Sequence, residues 1–174
     1  PAPVFAGVLR ATAIAGDAFS YRITAANAPT GYNAKGLPVG LVCEEATGWI
    51  TGTPLAPGTL AIPLEAYNAG GVAAGTLELR VLRARPVVSG PFAVSVQAGG
   101  TFSYQIAASN QPASFNASNL PGWLAVDRGT GRLSGLPTVA GSWTVGLEAG
   151  NEAGLGRADL QVAVSYTHLT LPTK

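Results

Sequence analysis

The stretch "ATGWITGTP" runs from Ala46 to Pro54, and "GTGRLSGLP" runs from Gly129 to Pro137. Each has a Thr-Gly pair, a short alternating run and a closing Gly-x-Pro, and the two lie 83 residues apart. Thr47-Gly48 reads as a tight reversal, because glycine tolerates the positive φ that such a turn requires. Ile50 then points inward. Gly52 and Pro54 end the strand, since proline lacks the donor that a ladder needs. The motif is a structural corner, and its recurrence means that one folding unit is used twice.

The same offset holds along the chain. Phe19–Asn27 ("FSYRITAAN") falls on Phe102–Asn110 ("FSYQIAASN"), Leu37-Pro38 on Leu120-Pro121, and Glu65–Gly71 ("EAYNAGG") on Glu148–Gly154 ("EAGNEAG"). No gap is needed from Pro3 to Val81 against Pro86 to Val164. Within each copy apolar residues alternate with polar ones, the period of a half-buried strand. Leu60, Ile62, Leu64 and Ala66 form one such row, matched by Trp143, Val145, Leu147 and Ala149. Leu77, Leu79 and Val81 form another, matched by Leu160, Val162 and Val164. No segment has a helical period. About seven short strands in roughly 80 residues predict a two-sheet sandwich. The expected fold is therefore all-β, two tandem two-sheet sandwiches over 1–83 and 84–164, with 165–174 as a tail. Arg85 precedes Pro86, which biases it towards an extended conformation, so an elongated pair is expected.

The composition fits: 23 glycines, 13 prolines and only 11% charged residues in 174, against roughly a quarter charged in an ordinary domain. A net charge of +1 argues against a nucleic-acid partner, which needs a basic stripe. No apolar run approaches the roughly 18 residues of a membrane span. A chain without methionine that opens on Pro1 is expected to be an internal piece of a longer protein. The single cysteine, Cys43, forms no intrachain disulfide.

The series Leu37-Pro38-x-Gly40-Leu41, Thr47-Gly48, Gly52-Thr53-Pro54 and Ala66-x-Asn68-x-x-Gly71 resembles the bacterial immunoglobulin-like repeats also described as dystroglycan-type cadherin-like domains. The second copy carries Leu120, Pro121, Leu124, Asp127, Thr130, Gly131, Gly135, Pro137, Ala149, Asn151 and Gly154. Glu44 stands where that family favours Asp, which predicts a less well capped turn. The resemblance implies two tandem immunoglobulin-like (cadherin-like) β-sandwich domains, of a kind arrayed in large secreted or cell-surface bacterial proteins. It implies no catalytic residues.

The side chains agree. The only histidine, His168, lies in the tail, so no imidazole base serves a nucleophile. Glu44 and Glu45, read as strand neighbours, point to opposite faces and cannot act as a facing acid pair. Cys43 shares the parity of Leu41 and is expected to be a small buried hydrophobe. Trp143 is expected in the core and Trp123 half-buried at a corner. Trp49 aligns with Arg132 and is expected to face out, which makes it the one candidate for stacking on a ligand, with Tyr32 and Tyr67 as its only available companions. Arg80, Arg83 and Arg85 cluster near the boundary between the copies. Calcium is the cofactor the resemblance brings to mind, but such a site needs six to eight oxygen ligands. The boundary offers no carboxylate, Asp17 and Glu65 are scattered, and Asp127 reads as a turn cap.

The last residues, "VSYTHLTLPTK" (Val164–Lys174), resemble a conceptual translation of a sequencing adapter and are expected to be foreign. Continuing the last strand into them would point Tyr166 inward and Leu169 and Leu171 out to water. Taken together with the resemblance, which implies the location, the sequence predicts a non-catalytic spacer or adhesion module of a larger secreted or cell-surface bacterial protein, with no cofactor. Its expected partners are neighbouring domains and a cell-surface glycan or protein. The alternatives are an accessory carbohydrate-binding module of an extracellular hydrolase, which Trp49 would discriminate, and a calcium-binding cadherin-like adhesin.

Overall fold

The computed structural model describes residues 1–166; His168, Leu169, Leu171 and the rest of the tail from Thr167 lie outside the described residues. The chain divides into two compact units, one of Pro1–Ala84 and one that begins at Arg85. Unit 1 has strands β1 (Val4–Phe5), β2 (Leu9–Ile14), β3 (Phe19–Arg22), β4 (Ala25–Ala26), β5 (Gly31–Ala34), β6 (Leu41–Cys43), β7 (Trp49–Gly52), β8 (Gly58–Asn68) and β9 (Gly71–Leu82). Unit 2 repeats them as β10 (Val88–Ser89), β11 (Ala93–Gln97), β12 (Phe102–Gln105), β13 (Ala107–Ala108), β14 (Ser114–Ser118), β15 (Leu124–Val126), β16 (Arg132–Gly135), β17 (Gly141–Asn151) and β18 (Gly154–Ser165).

In unit 1 one sheet has the order β2-β9-β8-β5, the other β3-β7-β6, and β1 pairs with β4. Nine segments appear where seven strands are expected because two strands are broken. The first strand breaks between β1 and β2 at Gly7, whose φ is +75°, and changes sheets there. The second breaks between β3 and β4, where the Ile23 N–H donates to the Gly48 carbonyl at 2.8 Å. Counting each as one gives the seven-stranded immunoglobulin-like sandwich. Unit 2 has the same pairings, and its ladders keep the offset: Phe19 faces Gly52 as Phe102 faces Gly135, and Gly58 faces Val81 as Gly141 faces Val164.

The alternation places the core as expected. Ile62, Leu64, Leu77 and Leu79 from one sheet meet Ile23, Leu41 and Ile50 from the other. In unit 2 Val145, Leu147, Leu160 and Val162 meet Ile106, Leu124 and Leu133. Each such side chain contributes about 1.5–3 kcal/mol of burial. Trp143 departs from the expected full burial. It is half-buried, because it lies at the open end of its row. There its ring packs edge-on against Trp123, 5.7 Å between centroids at 82°, and Trp123 in turn packs on Phe102 at 5.7 Å and 81°.

The last strand ends one residue beyond Val164. The Ser165 carbonyl accepts the Ala98 N–H at 2.8 Å, as the Leu82 carbonyl accepts that of Ala15 at 2.9 Å. This is a main-chain bond that any residue supplies. Tyr166 follows the strand and is exposed rather than inward.

The chain entering each unit is held by two asparagines. Asn27 Nδ2 donates to the Ala2 carbonyl at 2.7 Å, and Asn68 Nδ2 donates to the Asn27 carbonyl at 2.6 Å. Asn110 holds the Arg85 carbonyl at 2.7 Å, and Asn151 holds that of Asn110 at 3.0 Å. Asn68 and Asn151 also accept the N–H two residues on, from Gly70 and Ala153, which shapes the hairpins β8–β9 and β17–β18. The Ala-x-Asn motif is therefore a clasp between the hairpin and the entering strand.

The two glycines of the opening motif have separate reasons. Gly48 and Gly131 have φ of +74° and +75°. Gly52 has φ of +134°, and a Cβ there would overlap the Gly40 carbonyl; one on Gly135 would overlap that of Trp123. Gly52→Ala is therefore expected to cost more than about 3 kcal/mol in denaturant unfolding. Gly122→Ala, where a Cβ meets nothing within 4 Å, should stay within about 0.5 kcal/mol. Equal effects at the two positions would refute the close-approach argument.

Candidate recess on the first unit

The β6–β7 corner builds the site. β6 stops at Cys43, so Glu44 and Glu45 belong to a turn rather than to a strand as expected. The turn closes through Gly48 N–H to the Glu44 carbonyl at 2.9 Å and Glu44 N–H to the Trp49 carbonyl at 2.7 Å. In unit 2 the Asp127 carboxylate accepts the Gly129 and Thr130 N–H groups at 2.9 and 3.1 Å. These bonds hold its carboxyl below the ordinary value, with Thr130 the larger cause. Glu44, one methylene longer, accepts the Thr47 hydroxyl at 2.6 Å instead. The turn of unit 1 thus lacks the cap on its main chain, as its sequence predicts.

Two tyrosines lie against this corner. The Tyr32 ring occupies the place a Cβ on Gly48 would need, 2.9 Å from Cδ2, and the Tyr67 ring likewise covers Gly31, its cross-strand partner. The Tyr67 hydroxyl donates to Glu45 Oε1. Tyr32, Asn33, Cys43, Glu45 and Tyr67 line a half-open recess of about 240 Å³. Hydrogen bonding to Glu45 is the main cause that raises the Tyr67 hydroxyl above its usual pKa. Burial raises the Cys43 thiol, a bond with the Ala34 main chain partly offsets this, and the Glu45 charge adds to the rise. Lys35 is engaged at 2.6 Å by Glu65, which also accepts from Asn33 at 3.3 Å. That pairing holds the Glu65 carboxyl below its usual range.

Cys43 is half-buried, not fully buried as expected. It ends a three-residue strand at the sheet margin, where the recess opens. Sequence reasoning missed this site. Its signal was the set of positions at which the copies disagree: Glu45 against Arg128, Tyr67 against Gly150, Gly31 against Ser114 and Cys43 against Val126.

Trp49 sits elsewhere. It is 39% exposed on the outer face of β7, opposite Arg22, whose guanidinium lies 5.8 Å from the ring centroid. Tyr32 and Tyr67 belong to the recess and give it no second platform. Trp123 is half-buried. Arg80 lies on β9 and the Arg85 side chain lies over Gly154, each within its own unit. Among the described residues no three His, Cys, Asp or Glu side chains gather as metal ligands, and no helix is long and apolar enough to cross a membrane.

Two outcomes follow from this geometry. Asp127→Ala should lower the Tm at neutral pH. Its folded pKa is depressed, so the contribution is present above the unfolded value of about 3.9 and is lost as pH falls through the folded one. The gap to the parent should therefore close on acidification; thermal melts across that range would show a constant gap if the cap were not the cause. Cys43 should react more slowly with a thiol reagent in the native chain than in denaturant, since only the thiolate attacks. Cys43→Val, the residue of unit 2, should cost less than about 1.5 kcal/mol. Equal labelling rates would mean that the thiol is not screened.

The family model described as "Putative Ig domain" matches twice, over residues 2–82 and 85–167. No curated protein matches. Among solved structures the chain is similar to extracellular domains 3–5 of Drosophila OTK, with 17% identity and a TM-score of 0.64 over 94% of this chain and 62% of that one. It is also similar to the I67–I69 fragment of titin, with 15% identity and a TM-score of 0.51 over 95% and 66%. Both likenesses concern the fold. A "putative alpha-galactosidase" from Bacteroides fragilis is 30% identical over 50% of this chain and 19% of that one, with a TM-score of 0.46; the match thus spans about a fifth of that enzyme's length. With nearly every residue inside one of two matches to a single model, and each match folded as a seven-stranded sandwich, the chain belongs to the "Putative Ig domain" family, in two tandem copies.

Proposed function

We propose that the chain is a non-catalytic spacer of a larger secreted or cell-surface bacterial protein, holding neighbouring domains apart under tension and supporting adhesion by them. One observation carries this reading. In each unit the first long strand runs parallel to the last: Leu9–Ile14 beside Leu77–Leu82, and Ala93–Gln97 beside Gln161–Ser165. Tension applied to the two ends of a unit pulls these neighbours in opposite senses along their length. The whole ladder is then loaded in shear, so its hydrogen bonds break together rather than one by one. The two-residue pairings of β1 with β4 and of β10 with β13 should yield first.

Single-molecule pulling from the ends of the chain tests this. Two unfolding events are expected, each lengthening the tether by the extended contour of 83 residues, roughly 270–300 Å at about 3.3–3.6 Å each, less the end-to-end length of the folded unit. Thr12→Pro, inside β2, should lower the force of one event and leave the other unchanged. Forces no higher than those that unzip a hairpin end to end would remove the support for a tension-bearing role.

A further inference from the structure

We propose that the recess of unit 1 binds a small organic ammonium ion, held by the Glu45 carboxylate over the rings of Tyr32 and Tyr67. The charge argument comes first. The Tyr67 hydroxyl takes Glu45 Oε1, Oε2 accepts from no described side chain, and no described cation is paired with Glu45. Lys35 is held by Glu65. The carboxylates Glu78 and Glu148, by contrast, face Arg10 at 3.2 Å and Arg157 at 2.8 Å. Glu45 therefore gives the recess a negative charge that no described cation compensates.

The shape argument is independent. The Tyr67 ring covers Gly31 and the Tyr32 ring covers Gly48, positions where a Cβ would displace each ring. The glycines set two aromatic rings beside one carboxylate, the combination that attracts a cation through ring quadrupoles and charge together. A volume of about 240 Å³ lies below the range of pockets for drug-sized ligands and suits a head group such as trimethylammonium. Unit 2 lacks the combination: it has Arg128 for Glu45 and Gly150 for Tyr67. The duplicate is thus a built-in control.

The test is an NMR titration of the isotope-labelled full chain with choline chloride, against sodium chloride at equal ionic strength. Saturable shifts are expected at Tyr32, Asn33, Cys43, Glu45 and Tyr67, with none at Phe115, Asn116, Val126, Arg128 and Gly150. Glu45→Gln should weaken the affinity several-fold. Glu45→Arg, which copies a residue that unit 2 accommodates, should abolish the shifts while the rest of the spectrum is retained. The neutral isostere 3,3-dimethylbutan-1-ol should produce no saturable shift. Shifts that do not saturate, an equal response to the neutral isostere, undiminished binding to Glu45→Arg, or saturation by glucose but not choline would each overturn the proposal.

Discussion

The two sheets of each unit are fixed to each other at one edge by a bond and a ring. The Tyr32 N–H donates to the Glu45 carbonyl at 2.9 Å, and the Phe115 N–H to that of Arg128 at the same distance. Beside each bond an aromatic ring from the edge strand, β5 or β14, lies on the glycine that closes the β6–β7 or β15–β16 turn. Two twisted sheets packed face to face could slide over one another, since apolar contact is non-directional. A directional bond next to a ring that fits only where Cβ is missing removes that freedom. The inward rows of β8 and β9 then meet those of β3, β6 and β7 in a single register, and a recess is left beside the tie.

Outside this frame the copies have diverged. Phe102, Trp123 and Trp143 form an edge-to-face series in unit 2, where unit 1 has Phe19, Gly40 and Leu60. Large indoles at the open end of the sandwich thus replace a glycine and a leucine without any change of ladder register. The end of a sheet tolerates this because its side chains border solvent, whereas Ile62 and Val145, one step inward, are fully buried and close-packed.

The alternation of apolar residues and the fixed offset made the architecture legible in advance, because each reports a local geometric period. Depth was less legible. Cys43 and Trp143 have inward parity, yet both are half-buried, since parity gives a direction and not the distance to the edge. Partnerships across strands were not legible. Glu65 and Glu148 occupy equivalent positions and both bind an asparagine of the edge strand, but the cation comes from the residue that follows β5 in one unit (Lys35) and from β18 in the other (Arg157). The Glu45–Tyr67 contact spans 22 residues and depends on Gly31 being small, a condition that no periodicity encodes.

The asparagine clasp has a consequence for how such a chain grows. Asn27 and Asn110 grip only a main-chain carbonyl, belonging to alanine in one case and arginine in the other. The residue gripped is thereby freed from any requirement on its own side chain, while the proline after it, Pro3 or Pro86, is buried in its unit. A gene segment encoding one unit carries its own clasp, and recombination can join it behind any upstream sequence without redesigning the joint. Duplication and exchange of whole units become neutral steps, and selection is left to act on what each copy displays.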